Sequence, residues 1–202
     1  MEVLPILSDV MYPSPGQESS VDDFAVFLLD MFDFDEGNRV IHCRRELGFS
    51  MCGKRVNAKT DVCLTQKVNQ AAAYILLVQE DKRLITPVDA EAQLIAEACA
   101  AFSENNNLRE RVGLPRLTSM TFPGLTLIGS TPTFYKITVT EELLIALATA
   151  QYPATPTIVE RLVPPIPDPT SFQSKGMLNL NNRIVALQCF QAFKGVVHDI
   201  DI

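Results

Sequence analysis

Histidine is scarce in this chain, and its cysteines come without partners. Of 202 residues, two are histidine and five are cysteine (Cys43, Cys52, Cys63, Cys99, Cys189), scattered and without a Cys-X-X-Cys. That leaves no basis for a zinc site of paired ligands. The cysteines read as reduced, mostly buried thiols of an intracellular protein. No apolar run approaches the roughly 18–20 residues of a membrane span, so no membrane association is expected. The opening "MEVLPILSDVMYPSPGQESS" lacks a basic n-region and a proper apolar h-region. A secretory leader is therefore not expected, and the expected location is cytoplasmic or nuclear. No internal repeat is visible. Charged residues make up only 20%, too few for global disorder, and the 47% hydrophobic content suffices for a real core.

The net charge of −7 argues against a general nucleic-acid coat protein. Its distribution is uneven. Between Arg39 and Arg83, nine basic residues face four acids, a local balance of +5 that leaves −12 for the remainder. A polyanion would be drawn to this island, with Lys54, Arg55 and Lys59 as candidate nucleic-acid contacts. Lysine and arginine also serve on strand edges and hairpin tips as solubilising groups, and the composition does not choose between the two.

Residues 1–20, with three prolines and several serines, read as an extended arm preceding one domain over 21–202. "VDDFAVFLLDMFDF" carries Phe24, Phe27, Leu28, Met31 and Phe32 at helical spacing, with Asp22 and Asp23 in the first turn. "RVIHCRR", "LGFSMCG" and "AKTDVCLT" read as short strands, and "AAYILLVQEDK" as a fourth. Thr86-Pro87 opens a helix through Phe102, and "ENNNLRERVGLPRL" reads as a polar loop. Two more strands, "TFPGLTLIGS" and "TFYKITV", precede a helix capped by Thr140. A proline-rich connection over 153–169 and a C-terminal helix over 181–197 follow. The expected class is α/β, a mixed sheet flanked by helices (α+β in its mixed sheet).

"AYILLVQEDKRLITP" poses the chemical question. An apolar run expected to be a buried strand ends in Glu80, Asp81 and Lys82. By strand alternation Val78, Glu80 and Lys82 share one side, and Gln79 and Asp81 the other. Asp61 lies on the preceding strand, so pairing of the two strands would let Asp61 and Glu80 meet. Converging carboxylates repel unless one is protonated or a cation sits between them. Carboxylate and water oxygens suit Mg²⁺ or Mn²⁺. Lys82 beside such a site would position or deprotonate a water, which is equipment for cutting a phosphodiester.

Asp61 followed by Glu80-Asp81-Lys82 resembles the PD-(D/E)XK nuclease superfamily. "AKTDVCL…ILLVQEDK…EAQLIAEA…GLTLIGSTPTFYKITVT" is also similar to a group of fungal proteins carrying that motif, over most of the chain. The resemblance implies a core of order αβββαβ over 21–138 with a C-terminal helical extension. It implies Asp61 and Glu80 as ligands of Mg²⁺ or Mn²⁺, Lys82 as the catalytic lysine, and Gln93 on the next helix as a polar helper, with Glu97 one turn on. Thr60 stands where the motif has proline. The implied activity is hydrolysis of DNA or RNA. Its rival is a catalytically degenerate binding protein on the same fold, self-associating through the last helix or the proline-rich segment.

Other motifs compete weakly. "GFSMCGKR" fits G-X-X-X-X-G-K from Gly48 to Lys54, but Arg55 replaces the Ser or Thr of a nucleotide-binding loop, so a turn is expected. His42 on "RVIHC" reads as structural. Cys52 and Cys63 are expected to neighbour one another as packing residues rather than as nucleophiles.

Overall fold

The computed structural model describes residues 3–12, 20–68, 71–81 and 87–200. Two helices come first, α1 (Val3–Met11) and α2 (Ser20–Met31). Part of the expected extended arm is therefore helical. Pro5 lies in the first turn of α1, where its missing N–H is tolerated, and Leu7 and Val10, three apart, are buried. On α2 the buried stripe is Val21, Phe24, Ala25, Leu28 and Leu29; Met31 is exposed, so the helix is rotated from its expected face.

Among the described residues eight strands follow in two sheets. β1 (Arg39–Cys43), β4 (Val62–Val68), β5 (Ala71–Asp81), β6 (Ser119–Ile128), β7 (Thr131–Thr140) and β8 (Val159–Leu162) form a six-stranded sheet in that spatial order. β2 (Glu46–Met51) and β3 (Lys54–Lys59) form a separate hairpin. In the large sheet only β5 and β6 are parallel. Parallel neighbours need a long crossover, and α3 (Pro87–Arg111) supplies it. The class is thus α/β with a mixed sheet. Among the described residues five strands separate α2 from α3, one more than the four read from the residues and two more than the resemblance implies. The proline-rich connection contributes β8, an edge strand paired to β7.

Each face of the sheet has its own core. On one side α1, α2 and α6 (Leu180–His198) pack with Val62, Leu64, Leu76, Val78, Leu125, Leu127 and Phe134. On the other, α3, the hairpin and α4 (Glu141–Thr149) pack with Cys63, Leu77, Phe122, Ile137 and Val139. The β4–β5 register slips at Leu64/Thr65, leaving Ile75 without an opposite residue. This bulge lets Ile75 and Leu76 enter the same core although they are adjacent. α3 crosses β6 so closely that a Cβ on Gly124 would lie 2.8 Å from Leu94.

α3 does not end at Phe102; the stretch read as a polar loop continues the helix to Arg111. Asn105 and Asn106 are buried there. The Asn105 amide donates to the Tyr74 carbonyl at 2.9 Å and accepts from the Tyr74 N–H at 2.8 Å. Asn106 treats Leu117 the same way, at 3.1 and 2.7 Å. Pairing of β5 with β6 begins only at Leu77, so Tyr74 has backbone groups to satisfy, and Asn105 satisfies them. α4 carries the expected cap, with the Leu143 N–H donating to Thr140 Oγ1 at 3.1 Å. A short helix α5 (Pro169–Lys175) and a 3-10 turn (Gly176–Leu178) lead into α6. No helix among the described residues is long and apolar enough to cross a membrane.

Candidate functional site

β1 and β4 pair antiparallel, as do β2 and β3, so the four strands form one long ribbon that breaks between the two sheets. At the break, the Arg44 N–H donates to the Asp61 carbonyl and the Thr60 N–H to the Arg45 carbonyl, each at 2.9 Å. Arg44 turns the chain with φ 57, a left-handed backbone that a side chain adopts at some cost. The hairpin then folds over α3. Its tip, Cys52-Gly53, has φ 51 and 72, the positive values of a tight hairpin turn. The tip is tied to the end of α4 by Cys52 N–H to the Leu147 carbonyl and Gly53 N–H to the Ala148 carbonyl, each 2.8 Å. "GFSMCGKR" is this hairpin.

Between hairpin, sheet and α3 lies a cleft of about 490 Å³. Asp61 enters it from the bend just before β4, not from within the strand as expected. Its Oδ2 accepts a 2.7 Å hydrogen bond from Gln79 Nε2. The register explains the pairing: Val62 lies opposite Val78, so the next position outward places Asp61 beside Gln79. Gln79 is buried and lies in register with Thr126 of β6. From the opposite wall α3 presents Gln93, exposed, and Glu97, buried.

Glu97 is the least expected member. The sequence places Glu97 only as the residue one turn on from Gln93, yet Glu97 is 2% exposed. Its Oε2 is buried and has no hydrogen-bond partner among the described residues. Burial first, and the charge of Asp61 second, push its carboxyl up to about 9. The clue was present: Glu97 falls three residues after Leu94 and four before Ala101, apolar positions that share its helix face, so the helical period already turned it to the core.

The other candidates separate. Glu80 is described in its backbone, opposite Leu127 of β6, and its side chain and Lys82 lie outside the described residues. Gln79 is the hydrogen-bonding neighbour described for Asp61; the expected meeting of Asp61 with Glu80 falls on a side chain outside the described residues. Of the basic trio, Lys59 lines the cleft, whereas Lys54 sits at the hairpin turn and the Arg55 guanidinium lies across Gly48. His42 is structural as expected, bonded to Thr65 Oγ1 at 3.0 Å and to Arg45 at 3.1 Å. Cys52 and Cys63 are not neighbours on paired strands. Cys52 is exposed at the hairpin tip, and Cys63 is buried between His42 and Leu77, its thiol pushed up to about 11 by burial. Such a thiol is inert at neutral pH. Among the described residues no group of three His, Cys, Asp or Glu side chains converges.

Compared with models of known protein families and with curated proteins, the chain matches none.

Proposed function

We propose that this protein is a divalent-metal-dependent nuclease that hydrolyses phosphodiester bonds of DNA or RNA. One observation carries the reading. Asp61 stands at the head of β4, hydrogen-bonded to the last part of β5, where the chain runs on into Glu80-Asp81-Lys82. The first acid of the motif is thus one strand away from the rest. The surrounding order supports it: a helix, antiparallel β1, β4 and β5, the α3 crossover, then parallel β6, with the β2–β3 hairpin as an insertion.

The donor set fits a hard cation. Asp61 offers carboxylate oxygen, Gln79 and Gln93 offer amide oxygens, and no thiolate or imidazole lines the cleft. Asp61 would hold Mg²⁺ or Mn²⁺, and the resemblance adds Glu80 as its partner. When bound, the cation supplies Lewis-acid stabilisation of charge on a phosphoryl group. Lys82 would position the attacking water and assist its deprotonation. Lys59, at the mouth, would meet the phosphate backbone.

A second reading has its own support. Gln79, an amide, occupies the place beside Asp61 that a second carboxylate would take in a working site. This favours a degenerate member of the same fold that binds nucleic acid without cutting it.

Labelled DNA and RNA, incubated with the chain and Mn²⁺ or Mg²⁺, separate the two. Cleavage that falls by about 10²–10⁴-fold in Lys82→Ala, with Mn²⁺ affinity retained, is the expected outcome. Lys82→Arg should not rescue it, because guanidinium stays protonated and differs in shape from ammonium. Retention of labelled nucleic acid without cleavage establishes the binding reading.

A further inference from the structure

We propose that Glu97 of α3 is a direct ligand, together with Asp61, of a hard divalent cation bound in the cleft between α3 and the sheet. The assignment rests on the metal-dependent reading above, and extends it to a residue on the helix wall.

Three features of Glu97 require an occupant. The residue is 2% exposed, and one of its carboxylate oxygens is both buried and without a hydrogen-bond partner among the described residues. A buried polar atom left in that state costs on the order of 1–3 kcal/mol, so folds seldom keep one without use. The side chain also borders the cleft instead of dry core, and shares it with Asp61. Two acids that line one cleft are stabilised together by a cation between them.

The alternative occupant is a proton, which would leave Glu97 a neutral acid with no further role. Several details favour the cation. Gln79 already bonds Oδ2 of Asp61 and fixes the carboxylate from the sheet side. Gln93, one helical turn before Glu97, adds an amide oxygen on the same wall. Oxygen donors from both walls are what a hard ion requires. Zinc would call for histidine or cysteine, and neither lines the cleft.

The test uses the full chain, stripped with chelator and titrated with Mn²⁺ by calorimetry and by electron paramagnetic resonance of the free ion. Wild type should bind Mn²⁺, and Glu97→Gln, which keeps shape and removes charge, should weaken it by about tenfold or more. Glu91→Gln is the control on the same helix; Glu91 bonds Tyr135 and Arg161 and lies outside the cleft, so binding should be unchanged. Circular dichroism in chelator checks that each variant is folded. Should Glu97→Gln not fold, Glu97→Leu, apolar beside Leu94 and Ala98, provides the same measurement. Wild-type affinity in the folded variant overturns the proposal, as does a wild type that binds no Mn²⁺ at millimolar concentration. Glu97-dependent Mn²⁺ binding in a chain that cuts neither DNA nor RNA keeps this site and sinks only the hydrolysis. Cleavage abolished by Lys82→Ala, with Mn²⁺ binding indifferent to Glu97→Gln, does the reverse.

Discussion

Two neighbouring rungs of the six-stranded sheet have opposite chemistry. Val62, Val78, Leu125 and Phe134 lie in register across four strands, all buried against α1, α2 and α6. One residue further along, on the face toward α3, come Asp61, Gln79, Thr126 and Thr133. A step of one residue turns a strand from one face to the other. The same backbone therefore carries a dry rung that holds the fold together and a polar rung whose Asp61 and Gln79 line a cleft. The contrast extends to the helices. α6 meets the sheet with rings, Phe190 and Phe193 lying 5.0 and 4.9 Å from Phe134. α3 meets it with Glu97 and the buried amides Asn105 and Asn106 beside its apolar residues. Burying such groups is costly unless they are satisfied. The α3 side thus holds a buried acid without a described partner where the α6 side packs rings.

The sharpest way to break that comparison is on the dry side. Phe190 is fully buried, 5.8 Å from Phe32 as well as close to Phe134. Phe190→Ala should cost about 3–5 kcal/mol in chemical denaturation, through lost transfer energy and the cavity left behind. A cost below that of polar-face substitutions would refute the division of labour.

On the polar side the sign reverses. Glu97 has an ordinary carboxyl value of 4.5 unfolded and about 9 folded. The native state therefore binds the proton more tightly. Its contribution is fully present below pH about 4.5 and is lost as pH rises toward about 9. In chelator, Glu97→Gln should melt higher than wild type at pH 8, and the gap should close as pH falls toward 4.5. Parallel melting curves across that range would place Glu97 in contact with water.

Asn105 tests the satisfied polar group. Asn105→Ala strands the Tyr74 N–H and carbonyl, and should cost about 1–3 kcal/mol. Amide exchange at Tyr74 should quicken more than at Leu77, which has β6 opposite. Equal quickening at both would mean that α3 detaches as a whole.

How much of this was legible in the sequence follows from the kind of signal each residue gives. Thr140 was legible because a cap is a local device, and the apolar run of β5 because burial on both faces needs no partner to be identified. The class was legible from the order of the elements. Asn105 and Asn106 were not, because an asparagine run has the composition of a loop, and only the unpaired backbone of Tyr74 and Leu117 makes it a clamp. α1 was hidden by Pro5, a breaker inside a helix but not in its first turn. Asp61 was legible as an acid near the end of β5. Its Gln79 partner was not, since the β4–β5 register sets it, and a one-residue change in register exchanges the face.

The smallest effect concerns the hairpin that walls the cleft. Its tip hangs on the last carbonyls of α4, and α4 ends at Ala150 in a left-handed conformation, φ 54 and ψ 40. An alanine there carries a strain of roughly 1–2 kcal/mol that glycine does not. Glycine also gives the unfolded chain more freedom, which takes back about 0.4–1 kcal/mol. Ala150→Gly should therefore stabilise by roughly 0–1.6 kcal/mol, a small rise in melting temperature. The more telling readout is local. Because Cys52 and Gly53 donate to Leu147 and Ala148, a firmer α4 end should slow amide exchange at those two residues. Exchange at the dry rung, at Val62 and Val78, should not change. Slowing in both places would mean that the hairpin and the sheet open as one unit. Slowing at the tip alone would identify the cleft wall as a separately opening element, the low-stability part of a fold anchored by α6.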